Sequence, residues 1–408
     1  MYKSLTDYNS PSFEVIQGDH WRFHRETRDQ STQRTAKDIV CFSHIRWSDA
    51  WRRPQHLLSR FARNRRVYFI EEPIAGEGPV RLEVQNKSDH LTIVIPHVSK
   101  LEDAHDREVT VRRLIDELLQ EHYFEDYLCW YFTPNAIGYS RHLSPSGVVY
   151  DCIDGLTENA DVDPQLKQRE EELLTKCNLV ITSGPGLYDA KRKKHSRVHC
   201  FASGVDSDHF RKARIHHPEP FDQKIIPSPR IGFMGTLDNR VNFDLIRSVA
   251  KLRPQWHFVL VGKLRGIKES AIPAAPNIHY LGAKTYAELP HYLSGWDATI
   301  LPYKHSEETR FLNPTKTLEY LSAGKPVVAT SLRDVVRPFG KRGLVYIADT
   351  PFDFVRAVEK ALMLSVNGKE WRSQVDSYLA QTSWEKTFNR IEELVKQVGH
   401  ETHRRIVG

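Results

Sequence analysis

The sequence has 408 residues, of which 40% are hydrophobic and 27% charged, a composition typical of globular proteins and sufficient for two hydrophobic cores. No apolar run approaches the roughly 18 residues that a membrane-spanning helix needs, and the polar N-terminal region resembles neither a secretory signal nor an anchor. The five cysteines occur singly, which argues against a disulfide framework or a zinc site and favours a reducing cytoplasm.

Positive charge exceeds negative charge, with a formal net charge of +6, and the excess lies in two clusters. One cluster contains Arg60, Arg63, Arg65 and Arg66, and the other spans residues 191–194. Such patches bind anionic lipid, nucleic acid or phosphorylated substrates, although solvated helix faces have the same composition. Because no nucleic-acid recognition motif accompanies the clusters, nucleic acid is not an expected partner.

Hydrophobic periodicity predicts a first run of alternating strands and helices over residues 37–211. The polar, aperiodic residues 1–36 are predicted to form an N-terminal extension. Residues 212–229 contain four prolines and little periodicity, which is typical of a linker. The predicted strands of the first run are 38–43, 66–72, 91–98, 127–133, 147–153 and 178–184, with helices near 52–63, 107–121 and 164–177.

A second run of the same kind occupies residues 230–378, and residues 379–408 are predicted to form an amphipathic helix with a basic tail. Its expected strands are 230–235, 257–262, 278–282, 298–303, 326–330 and 344–348, with helices at 242–252, 285–295, 314–323 and 351–364. The alternation indicates two doubly wound, Rossmann-like α/β domains with parallel sheets. Ligands of such sheets bind beyond the carboxyl ends of the strands.

The segment "NPTKTLEYLSAGKPVVAT" combines an anion site with a carboxylate one helical turn away. Asn313 is a good N-cap, and Pro314 suits the first position of a helix. The free N–H groups of that turn and Lys316 can bind phosphate, while Glu319 on the same face can accept hydrogen bonds from two ribose hydroxyls. An exposed i,i+3 salt bridge is the alternative explanation of this pair.

Three neighbouring loops at predicted strand ends favour the nucleotide site. Gly235 opens the first loop, with Arg240 near the following helix, the second holds Gly262 and Lys263, and the third begins at Gly282. Glycine at these turns lets the backbone approach a ligand closely, so Gly235, Arg240 and Lys263 are candidate nucleotide-sugar ligands. The absence of GxGxxG and P-loop motifs argues against NAD enzymes and ATPases.

The ordered series "FMGTLD", "FVLVGK", "YLGAKTYAELPHYLSGWDATILPY" and "NPTKTLEYLSAGKPVVAT" resembles the nucleotide-sugar domain of GT-B glycosyltransferases, over roughly residues 230–348. The resemblance implies the GT-B fold, in which two Rossmann-like domains face each other across a cleft. It also implies that Glu319 binds the ribose and that Lys316, with Pro314 and Thr315, binds the diphosphate. The backbone near Ala283 would contact the nucleotide base, and Tyr303 would line the sugar–phosphate region. Residues 379–408 would then cross back to the first domain.

The sequence departs from the family at one informative position. Many retaining members, notably those of glycosyltransferase family 4, carry two glutamates in E-x7-E spacing. Glu319 matches the second glutamate, whereas Phe311 stands at the first. Glu307 and Glu308 are alternative carboxylates from the preceding loop, and the simpler interpretation is that the first glutamate is missing, which argues against retention.

The first half is expected to hold the acceptor. The segment "SHIRWSDAWRRPQHLL" provides aromatic rings that stack on sugars and guanidinium groups that bind oxyanions. His56 and Leu57 are expected to pack on the sheet, and Glu71 and Glu72 are lower-ranked candidates that face the acceptor or solvent. The candidate acceptor-binding residues are His44, Arg46, Trp47, Arg52 and Arg53.

A second informative segment, "VVYDCIDGLTENADVD", places Asp151 and Asp154 at the carboxyl end of a buried strand. An inverting transfer needs one general base to take the proton of the acceptor hydroxyl. Asp154 suits that role, and capping of the following helix is its alternative explanation. The strand-to-helix turn at Ser183 and Gly184 is expected to be a plain connection.

The same segment resembles the Y-x-x-S-D-G-L loop of the xanthan glucuronosyltransferase, an inverting GT-B enzyme. The resemblance implies that Asp154 is the catalytic base, with Gly155 and Leu156 also shared. Residues 38–210 further resemble glycosyltransferases of bacterial polysaccharide gene clusters, through "RRPQHLLSRFA", "VYFIEEP" and "TSGPGLYDAKR".

Together these features predict a cytoplasmic, metal-independent GT-B glycosyltransferase without a cofactor. It would move a sugar from a nucleoside diphosphate donor, UDP favoured, to a glycan or lipid-linked glycan, at the inner face of an anionic membrane. Inversion through Asp154 is favoured over a retaining, family 4-like reaction. The rival outside enzymes is a non-catalytic subunit that binds sugar nucleotide, and a related epimerase or phosphorylase is the rival within them.

Overall fold

A computed structural model describes five stretches of the chain. They are residues 37–49, 51–158, 162–215, 218–312 and 315–407, with backbone alone for 399–407. The predicted N-terminal extension, residues 1–36, lies outside the described residues, as do Asn313 and Pro314.

The first sheet contains nine of the described strands, in the order β3-β5-β2-β1-β6-β7-β8-β9, with β4 paired to β5. Its strands are β1 (Asp38–Ser43), β2 (Val67–Glu71), β3 (Ile74–Gly76), β4 (Arg81–Ser88), β5 (Leu91–Ser99), β6 (Tyr127–Tyr131), β7 (Gly147–Cys152), β8 (Leu179–Thr182) and β9 (Val198–Cys200). The six predicted strands are confirmed as β1, β2, β5, β6, β7 and β8. Strands β3, β4 and β9 were not predicted. The polar strand β4 pairs with β5 as an antiparallel edge hairpin, outside the parallel alternation.

The second sheet has six described strands in the order β12-β11-β10-β13-β14-β15, all parallel. They are β10 (Arg230–Met234), β11 (His257–Val261), β12 (Ile278–Tyr280), β13 (Ala298–Leu301), β14 (Val327–Ala329) and β15 (Tyr346–Ile347). Every one was predicted, because short buried apolar runs between glycines and prolines are a strong local signal. The two doubly wound sheets confirm the predicted α/β class.

Fourteen α-helices occur in the described residues. They are α1 (Arg53–Phe61), α2 (Ala104–Glu121), α3 (Ile137–Ser140), α4 (Pro164–Lys176), α5 (Pro185–Lys191), α6 (Ser207–Arg211), α7 (Phe221–Lys224), α8 (Phe243–Leu252), α9 (Leu289–Ser294), α10 (Lys316–Ser322), α11 (Arg333–Val336), α12 (Pro351–Asn367), α13 (Lys369–Leu379) and α14 (Trp384–Val407). Helix α10 begins two residues later than predicted, at Lys316, with Thr315 before it.

The described chain forms two compact units. The first comprises residues 37–150, 169–178 and 396–407, and the second comprises residues 151–168 and 179–395. The Asp154 segment therefore belongs to the same unit as the strands β10–β15. The predicted domain boundaries at residues 211 and 230 stay a prediction.

Each unit has a closely packed apolar core. In the first, the buried ring of Trp130 lies 5.4 Å from the ring of Phe61. In the second, Gly232 leaves the space that Trp296 fills, since a Cβ at that position would lie 2.0 Å from the indole ring. Such complementary packing fixes the strands whose ends carry the candidate site.

Three glycine turns are joined through their backbones at the carboxyl ends of β10, β11 and β12. The N–H of Gly235 donates to the carbonyl of Val261, and the N–H of Gly262 donates to the carbonyl of Gly282, each at 2.9 Å. Gly262 has a φ of +151°, and a Cβ there would lie 1.7 Å from the carbonyl oxygen of Gly235. Only glycine fits this approach of two backbones.

Helices α5 and α11 meet within the second unit through acidic side chains. One oxygen of Asp334 accepts the N–H of Gly186 at 2.9 Å, and Asp189 pairs with both Arg333 and Arg337. Burial raises the pKa of Asp334 to about 6, although its hydrogen bond from Gly186 and the two nearby arginines favour the charged form.

We predict that Gly262→Ala destabilises the protein by about 3 kcal/mol or more, because the new methyl group must displace backbone. Gly282→Ala is the matched control, since Gly282 also has positive φ, +74°, but open space around it. That control should cost only about 1 kcal/mol. Urea unfolding of both variants measures the difference, and equal losses would contradict the close approach of Gly262 and Gly235.

We also predict a pH-dependent contribution from Asp334. A carboxyl group whose folded pKa is raised stabilises the fold fully below its unfolded pKa and loses that contribution as pH rises through about 6. The difference from 3.8 to about 6 corresponds to about 3 kcal/mol. Asp334→Asn keeps an acceptor for Gly186 but cannot titrate. In thermal unfolding from pH 4.5 to 7.5, the melting temperature of Asp334→Asn should therefore rise relative to that of wild type as the pH increases. A difference in melting temperature that stays constant with pH would refute the prediction.

Candidate functional site

Helix α10 is fixed to the end of β10 by the buried side chain of Tyr320. Its hydroxyl accepts the N–H of Met234 at 2.6 Å and donates to the carbonyl of the same residue at 3.2 Å. The carbonyl of Thr315 accepts the first N–H groups of the helix, from Leu318 and Glu319. This anchoring sets the face of the helix that carries Lys316 and Glu319.

Lys316 and Glu319 form the i,i+3 ion pair that the sequence offered as the alternative explanation. The ammonium group donates to both carboxylate oxygens, at 3.0 and 2.9 Å. Their side chains are 27% and 13% exposed, so both can be reached by a ligand. The ion pair does not exclude a role in nucleotide binding, because a diphosphate can replace Glu319 as the partner of Lys316 while ribose hydroxyls replace Lys316 as the partner of Glu319.

Three ring side chains lie within electrostatic reach of Glu319. Its negative charge acts on Tyr303, Tyr286 and His209. The rings of His209 and Tyr286 stack with centroids 4.1 Å apart, and His209 Nε2 lies 2.8 Å from the carbonyl of Tyr286. Burial lowers the pKa of His209, which favours the neutral ring. These two residues were not predicted, since no local sequence pattern brings α6 to residues 286–288.

Arg240 lies beside the loop that follows β13. Its guanidinium donates to both carboxylate oxygens of Asp238, at 2.6 to 3.0 Å, and its carbonyl accepts the N–H of Lys304. The hydrogen bonds and charge of Asp238 raise the pKa of Arg240. Tyr303, buried next to this pair, has its pKa raised by burial to about 12, so it stays a neutral hydrogen-bonding group. Asp238 was not predicted, although its position two residues before Arg240 is a usable signal.

Asp154 is exposed on a loop whose flanks are held by buried side chains. The hydroxyl of Ser183 donates to the carbonyl of Ile153 at 2.8 Å. The fully buried ammonium of Lys191 donates to Thr157 and Glu158, at 3.3 and 2.5 Å. Ser183 therefore does more than join a strand to a helix, and Lys191 is not part of the exposed basic cluster.

The structure brings the predicted residues of the second unit into one electrostatic cluster. Asp154 lies within electrostatic reach of Arg240, and Tyr303 lies within reach of both Arg240 and Glu319. The candidate base and the candidate ribose ligand therefore lie in the same region of the second unit, although they are far apart in sequence.

The remaining nucleotide-site candidates lie at the neighbouring strand ends. Gly235 follows β10, with its backbone against Gly262, while Lys263 and Ala283 are exposed after β11 and β12. Pro314 lies outside the described residues. In the described residues, no group of three or more His, Cys, Asp or Glu side chains is arranged to hold a metal ion.

The candidate acceptor residues belong to the first unit, where Glu71 organises them. This buried carboxylate accepts from the Arg46 guanidinium at 2.9 Å and from the backbone N–H of Trp47 at 2.7 Å. Glu71 thus has a structural role rather than facing solvent. Trp47 packs edge-on against Phe69, with ring centroids 5.1 Å apart.

The other acceptor candidates differ in exposure. Arg52 is exposed before helix α1, His44 is half-buried, and Arg53 is buried at the first position of that helix. Leu57 is buried as expected, and the half-buried His56 contacts the ring of Trp51. Acceptor binding by these residues stays a prediction.

Comparison with known proteins gives a consistent result. Residues 228–363 match the family described as glycosyl transferases group 1. The chain is 28% identical over 312 residues to TuaH of Bacillus subtilis (strain 168), which is named as a teichuronic acid biosynthesis glycosyltransferase. That match covers 71% of this chain and 76% of TuaH.

Solved structures share the fold at low sequence identity. Sucrose-phosphate synthase from Thermosynechococcus elongatus is 13% identical, with a TM-score of 0.68 over 89% of this chain and 99% of that chain. HepE of Anabaena, in complex with UDP and glucose, is 13% identical, with a TM-score of 0.62 over 88% of this chain and 99% of its own. With its two Rossmann-like sheets and its group 1 domain, the chain is a glycosyltransferase of the GT-B fold.

Proposed function

We propose that this glycosyltransferase moves a sugar from a UDP-sugar to a hydroxyl of a glycan or lipid-linked glycan in bacterial polysaccharide synthesis, with inversion and with Asp154 as the base. The observation that carries the proposal is the placement of Asp154, Arg240, Tyr303 and Glu319 within one unit, each within electrostatic reach of the next. A base, a cation and a ribose-binding carboxylate in one cluster are the groups that a single displacement requires.

In the proposed reaction the Asp154 carboxylate takes the proton of the acceptor hydroxyl. The acceptor oxygen attacks the anomeric carbon from the face opposite the diphosphate, and the bond from that carbon to the diphosphate oxygen breaks. The leaving UDP keeps the electron pair, and Lys316 and Arg240 stabilise its negative charge. One displacement inverts the anomeric configuration.

The donor proposal rests on Lys316, Glu319 and the glycine turns. Two solved structures of the same fold contain a uridine nucleotide: HepE with UDP and glucose, and an E. coli trehalose-6-phosphate protein with UDP-2-fluoro glucose. The second has a TM-score of 0.67 and is 11% identical to this chain. UDP is therefore the nucleotide we favour.

The acceptor proposal draws on the relative TuaH, whose name refers to teichuronic acid biosynthesis. Lys193 and Lys194 are exposed and support contact with an anionic membrane face, whereas Arg65 is buried. No helix among the described residues is long and apolar enough to cross a membrane.

A retaining reaction is the second candidate. It would need a group at the position of the missing glutamate, and Phe311 there is 9% exposed and apolar. Glu307, the nearby alternative, is exposed and pairs with Arg310 at 3.3 Å. These observations favour inversion.

A third prediction concerns donor binding. Among UDP, GDP, dTDP and CMP, UDP should bind with selectivity in calorimetry, and Lys316→Ala and Glu319→Ala should each weaken it at least tenfold, because each loses a charged hydrogen bond worth about 1.5–3 kcal/mol. Arg356→Ala is the control, since Arg356 forms an i,i+3 pair with Asp353 on α12. Variants that bind UDP as well as wild type does would refute the nucleotide site.

A fourth prediction concerns Asp154, the proposed base. Asp154→Asn should lower sugar transfer by 100-fold or more, since the amide cannot accept the proton, while UDP affinity stays within twofold of wild type. Turnover is followed as UDP release with candidate acceptors, and proton NMR of the product gives its anomeric configuration. Ser183→Ala is the comparison variant, because it removes the hydrogen bond to the carbonyl of Ile153 but keeps the Asp154 carboxylate. Retained configuration, or full activity of Asp154→Asn, would exclude the inverting assignment.

A further inference from the structure

We propose that Phe311 is a positioning residue for Asp154. Its ring couples the conformation of residues 304–312, the sugar-side loop, to the position of the Asp154 carboxylate. The inference rests on the proposed function, since it concerns the same site. Nothing in the family match assigns a role to a phenylalanine at this position.

The contact between Phe311 and the Asp154 loop is direct. A Cβ built at Gly155 would lie 3.1 Å from the Cβ of Phe311 and 3.2 Å from its Cδ2. A Cβ at Gly186 would lie 3.4 Å from Cδ1 on the other side of the Phe311 side chain, and 3.3 Å from Asp334. The ring therefore lies between two glycine backbones, and a side chain at either position would crowd it.

Phe311 is itself held in place by its own loop. The side chain is 9% exposed, and the Arg310 guanidinium lies 5.3 Å from the ring centroid. The buried hydroxyl of Thr309 lies 2.6 Å from the carbonyl of Lys304 and 3.1 Å from that of Ser306, which closes the loop. The N–H of Lys304 in turn donates to the carbonyl of Arg240 at 2.8 Å.

Hydrogen bonds join Arg240 to Lys304 and Lys304 to Thr309, and two residues further along the chain Phe311 packs against Gly155. The other anchors of the Asp154 loop act on its flanks, Ser183 on residue 153 and Lys191 on residues 157 and 158. Phe311 contacts the residue directly after Asp154. Packing at that point fixes the backbone on which the carboxylate depends, and displacements of about 1 Å at a base lower rates steeply.

The test uses hydrogen–deuterium exchange, which needs no acceptor. In Phe311→Ala, exchange of peptides covering residues 151–158 should accelerate at least fivefold, while peptides covering β10 and β11 stay unchanged. UDP affinity should stay within threefold of wild type. Turnover with a UDP-sugar should fall at least tenfold in kcat with KM for the donor unchanged.

Conservative and control variants separate positioning from stability. Phe311→Leu keeps bulk between the glycines and should recover most of the exchange protection and turnover. Phe354→Ala removes another buried ring, 1% exposed, from helix α12 and should leave residues 151–158 protected. If Phe311→Ala does not fold, Phe311→Val takes its place.

Unchanged exchange of residues 151–158 in Phe311→Ala would overturn the proposal. So would a loss of UDP binding that matches the loss of turnover, since Phe311 would then act on the nucleotide site. If the wild-type protein turned over no UDP-sugar, the proposed function would be refuted instead. The exchange measurement would still decide whether Phe311 holds residues 151–158 in place.

Discussion

The ion pair between Arg240 and Asp238 is the interaction on which the arrangement of the candidate site depends. Its carboxylate fixes the guanidinium through hydrogen bonds of 2.6 to 3.0 Å, and the Arg240 carbonyl holds Lys304. The pair thereby joins the turn after β10 to the loop after β13. Asp154 and Tyr303 both interact with this cation. A partly buried cation at one fixed position can serve both a leaving diphosphate and a neighbouring carboxylate.

Two cations of the candidate site, Arg240 and Lys316, have carboxylate partners. A partly exposed pair such as Lys316 with Glu319 contributes only about 0.2–1 kcal/mol, so opening it is inexpensive. Under the proposed function, the diphosphate would take Lys316 because it carries more charge than one carboxylate, and Glu319 would be left to accept ribose hydroxyls. The ion pair would then hold both side chains near their binding positions before the donor binds.

Local signals in the sequence were enough for twelve of the fifteen described strands and for the segment of Lys316 and Glu319. Buried apolar runs such as β10 and β13 depend on periodicity, which a window of a few residues contains. The burial of Lys191 could not be predicted, because a run of four basic residues suggests solvent and its partner Glu158 is more than thirty residues away. The contact of Phe311 with Gly155 was hidden for the same reason. Sequence reasoning noticed the missing glutamate there, yet only the fold shows what the phenylalanine touches.

Replacing a carboxylate by a phenyl ring changes what the sugar-side loop can do. A glutamate at that position would have to remain hydrated or paired, since an isolated buried charge is strongly unfavourable. Phe311 instead packs between Gly155 and Gly186, where the absence of side chains makes room for it. The loop then lacks a hydrogen-bonding group for the sugar and has an apolar contact to Gly155, the residue after the proposed base. That exchange fits a single displacement, in which the position of one base on the acceptor side matters more than a second carboxylate beside the donor sugar.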